Sequence, residues 1–111
     1  MERFRAITRY VRISPRKARL AAGLIRGLPV PEAILQLDYC NLRGARLLMK
    51  TLKSAVANAE TQTATSAERL TVHEVRVDEG PRLKRAKARS RGMRHPILKR
   101  TSHFTVVVST Q

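Results

Sequence analysis

The segment GPRLKRAKARSRGMRHPILKR, from Gly80 to Arg100, has the residue types that most clearly suggest a chemistry. Nine of its twenty-one residues are Lys or Arg, and none is acidic. Cations at this density neutralise the phosphates of a nucleic acid, and each neutralised phosphate releases a condensed counterion. The segment therefore predicts a surface that binds a polyanion.

Catalysis is the alternative chemistry, and it would depend on Ser102, His103 and Asp78. Ser102 and His103 are adjacent in a strand-like stretch, so their side chains point to opposite faces. A nucleophile and its base cannot share a hydrogen bond in that arrangement. The sequence also has no Gly-rich phosphate loop, HExxH or CxxC motif. We therefore expect no enzyme activity, no cofactor and no metal site.

The bulk composition also points to a polyanionic partner. The 111 residues predict a single domain spanning 1–111, and their formal net charge is +15. A membrane is disfavoured because the sequence has no 18-residue apolar run, no signal-peptide pattern and no Trp. The single cysteine, Cys40, excludes an internal disulfide and fits a reducing cytosol. Nucleic acid is the expected partner, and the cytoplasm is the expected location.

Hydrophobic periodicity predicts a strand, three helices, a strand, the basic segment and a last strand. The first strand runs from Ile7 to Ile13. The first helix has Ser14 as its N-cap, Pro15 at its first position and Gly27 at its end. The second helix is VPEAILQL, with Pro and Glu in its first turn. The third runs from Asn41, its cap, to about residue 60, and one side is apolar: Leu48, Leu52, Ala55, Val56 and Ala59.

The two remaining strands are RLTVHEVRVDEG and HFTVVVST. In the first, the alternation slips near His73 and Glu74, which predicts a β-bulge. In the second, three successive valines predict burial on both faces. The expected fold class is α+β: a small antiparallel three-stranded sheet packed on three helices, with a long protruding basic β-hairpin.

Two helices carry the same pattern of cations. Residues at offsets 0, 3, 7 and 10 form one stripe on the first helix and one on the third: Arg16, Arg19, Gly23 and Arg26, and Arg43, Arg46, Lys50 and Lys53. On the first helix, Leu20, Ala21 and Leu24 fall on another side. Such stripes are usually solvated faces, but acidic partners at i±4 are missing here. Their absence favours a surface that faces phosphates.

The basic segment predicts a hairpin over about residues 80–101, because strands joined without a crossover helix normally pair antiparallel. Two arms of about nine residues would reach on the order of 30 Å, with the reversal near Gly92. An isolated two-stranded ribbon is marginal in water, so the hairpin needs a polyanion around it. A flexible basic loop that binds any nucleic acid remains the alternative. A long hairpin that is surrounded by a polyanion must enter a crevice, and this favours folded RNA over a DNA duplex as the partner.

Four strings, VRISPRKARL, LKSAVANAE, VDEGPRLKR and KRTSHFTVVVS, carry a resemblance. In this order and at matching separations they resemble the bacterial-type large-subunit ribosomal protein L-twenty-two family, over essentially the whole chain. The resemblance implies a structural component of the large ribosomal subunit that binds its rRNA and assists its assembly. It implies a body at the exit side of the nascent-peptide tunnel and a hairpin whose tip lines the tunnel at a constriction. Changes in that hairpin can alter the response to macrolide antibiotics.

The partners implied are large-subunit rRNA, neighbouring ribosomal proteins and the nascent peptide, with no membrane and no homo-oligomer. A generic basic RNA-binding or RNA-chaperone module remains the alternative function. The rRNA-binding residues expected from the stripes and the resemblance are Arg9, Arg12, Ser14, Arg16, Lys17, Arg19, Arg43, Arg46, Lys50, Lys84, Arg85, Lys87, Arg89, Arg91, Arg94, Lys99, Arg100, Thr101, Ser102 and His103. The tunnel-lining tip would be Ala88, Arg89, Ser90, Arg91, Gly92 and Met93.

The sequence departs from the family pattern near this tip. Ala88 stands where the family often has proline, and Ser90 stands where it often has alanine. The run from Met93 to Pro96 differs as well. These changes affect the expected tip conformation but keep its positive charge.

Overall fold

The computed structural model describes residues 2–88 and 94–110, and it confirms the expected α+β fold. Its elements, by chain position, are β1 (Arg3–Val11), α1 (Pro15–Ile25), α2 (Val30–Tyr39), α3 (Arg43–Thr63), a 3₁₀ turn (Ala67–Arg69), β2 (Leu70–Glu79), β3 (Leu83–Ala88), β4 (Arg94–Lys99) and β5 (Ser102–Thr110). An antiparallel sheet with the order β1-β5-β2 packs against the helices, and β3 and β4 form a separate ribbon.

The strand β5 lies at the centre of the sheet and is buried along nearly its whole length. Its three valines, Val106, Val107 and Val108, are all buried, which confirms the predicted burial on both faces. The first strand begins at Arg3 rather than Ile7 and ends at Val11 rather than Ile13. Its alternation starts earlier because Phe4 faces the core. At its end the chain turns inward, and Ile13 joins the core.

Both edge strands contain a bulge where they pair with β5. The bulge in β2 lies between Val72 and Glu74, as the sequence predicts. A second bulge in β1 was not expected, and it places Arg9 and Tyr10 opposite His103 alone. Tyr10 has φ 59°, in the left-handed region. That conformation costs a residue other than glycine roughly 1–2 kcal/mol, so the surrounding contacts must hold it.

The helix α1 begins and ends where the sequence predicts. Ser14 precedes Pro15 at the start, although its hydroxyl makes no capping hydrogen bond. Gly27, with φ 78°, follows the end and donates its N–H to the Val72 carbonyl. The buried side chains are mostly alanines: Ala18, Ala21, Ala22 and Ile25, with Pro15. Leu20 and Leu24, expected beside Ala21, are 62% and 43% exposed.

The helix α3 begins one residue later than predicted and ends later as well. Leu42, not Asn41, is its N-cap, and no side chain caps it. The predicted apolar side is confirmed, because all five of its residues are buried. Ala64, with φ 53°, donates its N–H to the Glu60 carbonyl and ends the helix.

The helices α1 and α3 approach closely at Gly44. A Cβ atom at Gly44 would lie 3.3 Å from the Cα of Ala18 and 3.3 Å from Cδ1 of Ile13. Contacts this short force neighbouring atoms to move, and a backbone atom has little freedom to do so. Glycine at 44 and alanine at 18 therefore set the distance between the two helices near their first turns.

The basic segment forms the expected antiparallel hairpin. Its register runs from Leu83 paired with Lys99 to Ala88 paired with Arg94. At its root, Gly80 donates its N–H to the Thr101 carbonyl at 2.9 Å. The reversal predicted near Gly92 lies outside the described residues. The molecule measures 62 × 25 × 16 Å.

We expect Gly44→Ala and Gly23→Ala to have opposite effects on stability. Gly44→Ala inserts a methyl group against Ala18 and should lower the free energy of unfolding by about 1–3 kcal/mol. Gly23 lies in α1, and a methyl group there would meet no neighbouring element within 4 Å, so Gly23→Ala should raise it by about 0.5–1 kcal/mol. Urea unfolding measures both values. Equal gains in stability would show that the helices do not approach closely at Gly44.

Candidate nucleic-acid interface

A cleft of about 870 Å³ opens where the first turns of α1 and α3 meet the chain returning from the hairpin. Five cations line it: Arg12, Lys17, Arg43, Lys99 and Arg100. The other lining residues are Ile13, Ser14, Leu20, Leu42 and Gly44. None of the lining residues is acidic, so the cleft concentrates positive charge from three separate parts of the sequence.

The local structure explains why these cations meet. The close approach at Gly44 brings the starts of α1 and α3 to the same cleft. The first N–H groups of a helix have no partner within the helix, and they carry partial positive charge. Neither Ser14 nor Leu42 caps them with a side chain. Two helix starts and five cations together form a site suited to the anionic backbone of a nucleic acid.

Several other predicted residues lie on the surface outside the cleft. Arg9, Arg16, Arg46 and Lys50 are exposed. Arg16 makes no hydrogen bond or ion pair with any residue that the structure describes. Acidic partners are few: the two ion pairs within the described side chains are Arg76 with Glu74 and Arg82 with Glu79. The second pair neutralises the root of the hairpin.

Two arginines of the α1 stripe donate hydrogen bonds to backbone carbonyls of the protein. Arg19 donates from Nε and Nη2 to the Val77 carbonyl, at 3.2 and 3.0 Å. Arg26 binds the Val75 carbonyl in the same way, at 3.2 and 2.9 Å. Both carbonyls belong to β2, an edge strand of the sheet. Two of the four residues in this stripe therefore provide hydrogen-bond donors for carbonyl groups of an edge strand. The spacing of charges in the sequence does not reveal this role.

Three predicted residues at or just before the start of β5 make hydrogen bonds within the protein, and Thr101 makes its bond at the hairpin root. Thr101 is buried and donates its hydroxyl to the Pro81 carbonyl at 2.6 Å. Ser102 is fully buried and donates to the Ile13 carbonyl at 2.7 Å. Because the hydroxyls are enclosed and bonded, their placement favours a structural role over the predicted contact with RNA. His103 is half-buried, and its Nδ1 accepts the Tyr10 N–H.

The hairpin cations are distributed along two paired strands. Lys84, Arg85 and Lys87 lie on β3, and Arg94 lies on β4. Lys99 and Arg100, at the end of the returning arm, are exposed and reach the cleft. Ala88 is the last residue of β3, and the rest of the predicted tip, residues 89–93, lies outside the described residues. The cleft therefore adjoins the point where the hairpin returns to the body.

Sequence reasoning missed the apolar part of the cleft. Leu20 and Leu42 line it beside the cations, and both are exposed. The spacing of Leu20 shows only that it shares a side of α1 with Ala21 and Leu24, and no sequence signal marks Leu42. Within residues 2–88 and 94–110, no helix combines the length and apolarity needed to cross a membrane. Residues 2–82 and 99–110, whose side chains the structure describes, contain no cluster of three or more side chains suited to a metal ion.

Comparisons of the sequence with known proteins identify a family and close relatives. The family described as "Ribosomal protein L22p/L17e" matches residues 6–109. A protein of Protochlamydia amoebophila named "Large ribosomal subunit protein uL22" is 70% identical over 105 residues, 95% of each chain. Proteins of the same name from Chlamydia abortus and Chlamydia pneumoniae are 60% and 59% identical, with the same coverage.

Arg19 and Arg16 provide a matched test of the two kinds of arginine on α1. Arg19→Ala removes the bonds to Val77 and should lower the free energy of unfolding by about 1 kcal/mol. Arg19→Lys should recover little of the lost unfolding free energy, because a lysine ammonium lacks the two parallel N–H donors of the planar guanidinium. Arg16→Ala should leave stability within about 0.5 kcal/mol. Urea unfolding compares the three variants. If Arg16→Ala destabilises as much as Arg19→Ala, the bonds to β2 are not what distinguishes them.

Proposed function

The chain belongs to the ribosomal protein L22p/L17e family, and from this premise we propose that it is a structural component of the large ribosomal subunit that binds large-subunit rRNA. The proposal involves no catalysis, in keeping with the structural role of this family. The protein acts in the cytoplasm as part of the ribosome. Similar proteins in three bacteria are named as large-subunit proteins, and the match covers nearly all of both chains.

The observation that carries the proposal is the cleft at the hairpin root. Five cations from three sequence segments converge there with two helix starts and no carboxylate. Its volume is at the upper end of that of small-molecule sites, which leaves room for a sugar–phosphate segment. Most contacts of nucleic-acid-binding proteins are to phosphate and sugar, and they fix the register of the complex. The cleft is therefore suited to hold the body against folded RNA.

The hairpin extends the same surface. Because β3 and β4 pair with each other and not with the three-stranded sheet, rRNA is the element that would stabilise the ribbon. The resemblance to the family supports a position of the hairpin inside the large subunit, where it lines the nascent-peptide exit tunnel. It also supports a role of the protein in assembly of the subunit. Neighbouring ribosomal proteins and the nascent peptide are then the other partners, and the protein forms no homo-oligomer.

Neutral substitutions in the cleft test the proposal. Lys17→Ala and Arg43→Ala each remove one cation of the cleft. Each should reduce the slope of log K against log salt by about 0.7–0.9 for large-subunit rRNA if the side chain neutralises one phosphate. Stability should not fall, since both side chains are exposed. Filter binding across salt concentrations measures the slopes.

Arg69→Ala is the matched control for these variants. Arg69 lies in the 3₁₀ turn before Leu70, which pairs with Thr110, at the end of the sheet opposite to the hairpin root. It carries the same charge as Arg43, and its removal should leave the slope nearly unchanged. If all three variants reduce the slope equally, binding follows net charge, and the cleft has no special role.

A further inference from the structure

The bulge in β1 presents an aromatic ring at the surface. Two residues, Arg9 and Tyr10, lie there opposite His103, and bulges of this kind turn a side chain away from the regular pleat. Tyr10 occupies the left-handed region, with φ 59°, a conformation usually given to glycine. Even so, the position carries one of the two tyrosines of the chain, and the residue is 64% exposed. A strained backbone that holds an exposed ring outward suggests a function for that ring.

Contacts with His103 hold Tyr10 in place. The Tyr10 N–H donates to Nδ1 of His103 at 3.1 Å. The two rings meet edge to face, with centroids 5.1 Å apart and planes at 89°. Such a contact covers at most one face of the tyrosine ring. With nearly two thirds of the residue exposed, the other face is open to solvent.

Tyr10 is close in sequence to residues that line the basic cleft. Arg9 precedes it and is exposed, and Arg12, two residues later, lines the cleft. On the neighbouring strand, His103 follows Arg100, another lining residue, by three positions. Positive charge close to an open aromatic face is the combination with which proteins hold single-stranded nucleic acid. A basic protein segment would be repelled by the same charges.

We propose that Tyr10 is a stacking platform for one unpaired base of RNA whose adjacent phosphates lie in the cleft. This inference depends on the proposed binding of rRNA and adds a base contact to a surface otherwise built for phosphates. Stacking uses the flat face that every base has, so the site selects an unstacked base rather than a particular sequence. His103 acts as a positioning residue, because it fixes the ring without touching the RNA.

Tyrosine fluorescence tests the contact directly, since the chain has two tyrosines and no Trp. In the Tyr39→Phe protein, Tyr10 is the only emitter. Adding a single-stranded 12-nucleotide RNA at low salt should quench its emission, and a base-free ribose-phosphate oligomer of equal length should not. The Tyr10→Phe protein, with Tyr39 on α2 as emitter, should show no base-dependent change. Equal quenching by both oligomers, or by neither, would overturn the proposal.

Affinity for large-subunit rRNA provides the second measurement. Tyr10→Asn removes the ring and keeps a residue that tolerates positive φ. It should weaken binding about 5- to 150-fold with an unchanged salt slope, whereas Tyr10→Phe should bind within about 3-fold of the original. Unchanged affinity in Tyr10→Asn would overturn the stacking site while the cleft remains. The reduction of the salt slope in Lys17→Ala or Arg43→Ala tests the cleft itself, so the two failures are distinguishable.

Discussion

The packing of α1 against α3 at Gly44 is the constraint on which the functional surface depends. It holds the starts of two helices and the cations around them in one cleft. Like charges repel, by about 0.5 kcal/mol for two cations 8 Å apart in water, less when salt screens them. The small alanines of α1 permit the close approach, and the buried side chains of both helices stabilise it. A polyanion in the cleft would replace this repulsion with attraction.

The arginines of the protein are divided between two tasks. Arg19 and Arg26 satisfy carbonyls along the edge of β2, where their planar groups donate twice to one oxygen. This edge is consequently protected from pairing with another chain. Arg12, Arg43 and Arg100 instead face the cleft. The same residue type thus completes the sheet on one side of α1 and lines the basic cleft at its start.

Strong local patterns made much of the fold predictable. Three valines in β5 indicated a central strand, and the slipped alternation near His73 indicated a bulge. The predicted cap at Asn41 was wrong because a cap depends on tertiary turns. Helix spacing shows that Leu20 and Ala21 share a side of α1, but it does not show which of them is buried. The basic surface was predictable from charge.

The partners of individual side chains were not predictable. A strand edge within reach of Arg19 is a property of the tertiary fold, and so are the carbonyls that accept the hydroxyls of Thr101 and Ser102. Tyr10 was missed because a single aromatic residue in a strand-like stretch has no sequence signature. Its exposure depends on a bulge whose register involves His103, more than ninety residues away.

The central claim is that this surface recognises the shape of large-subunit rRNA and does more than attract negative charge. The most direct measurement is binding of the purified protein to large-subunit rRNA and to an unrelated structured RNA of equal length, across a range of salt concentrations. A shaped site predicts that the rRNA complex persists at a salt concentration that releases the unrelated RNA. If both affinities fall together with the same slope, charge alone is recognised, and a generic basic RNA-binding module is the better account.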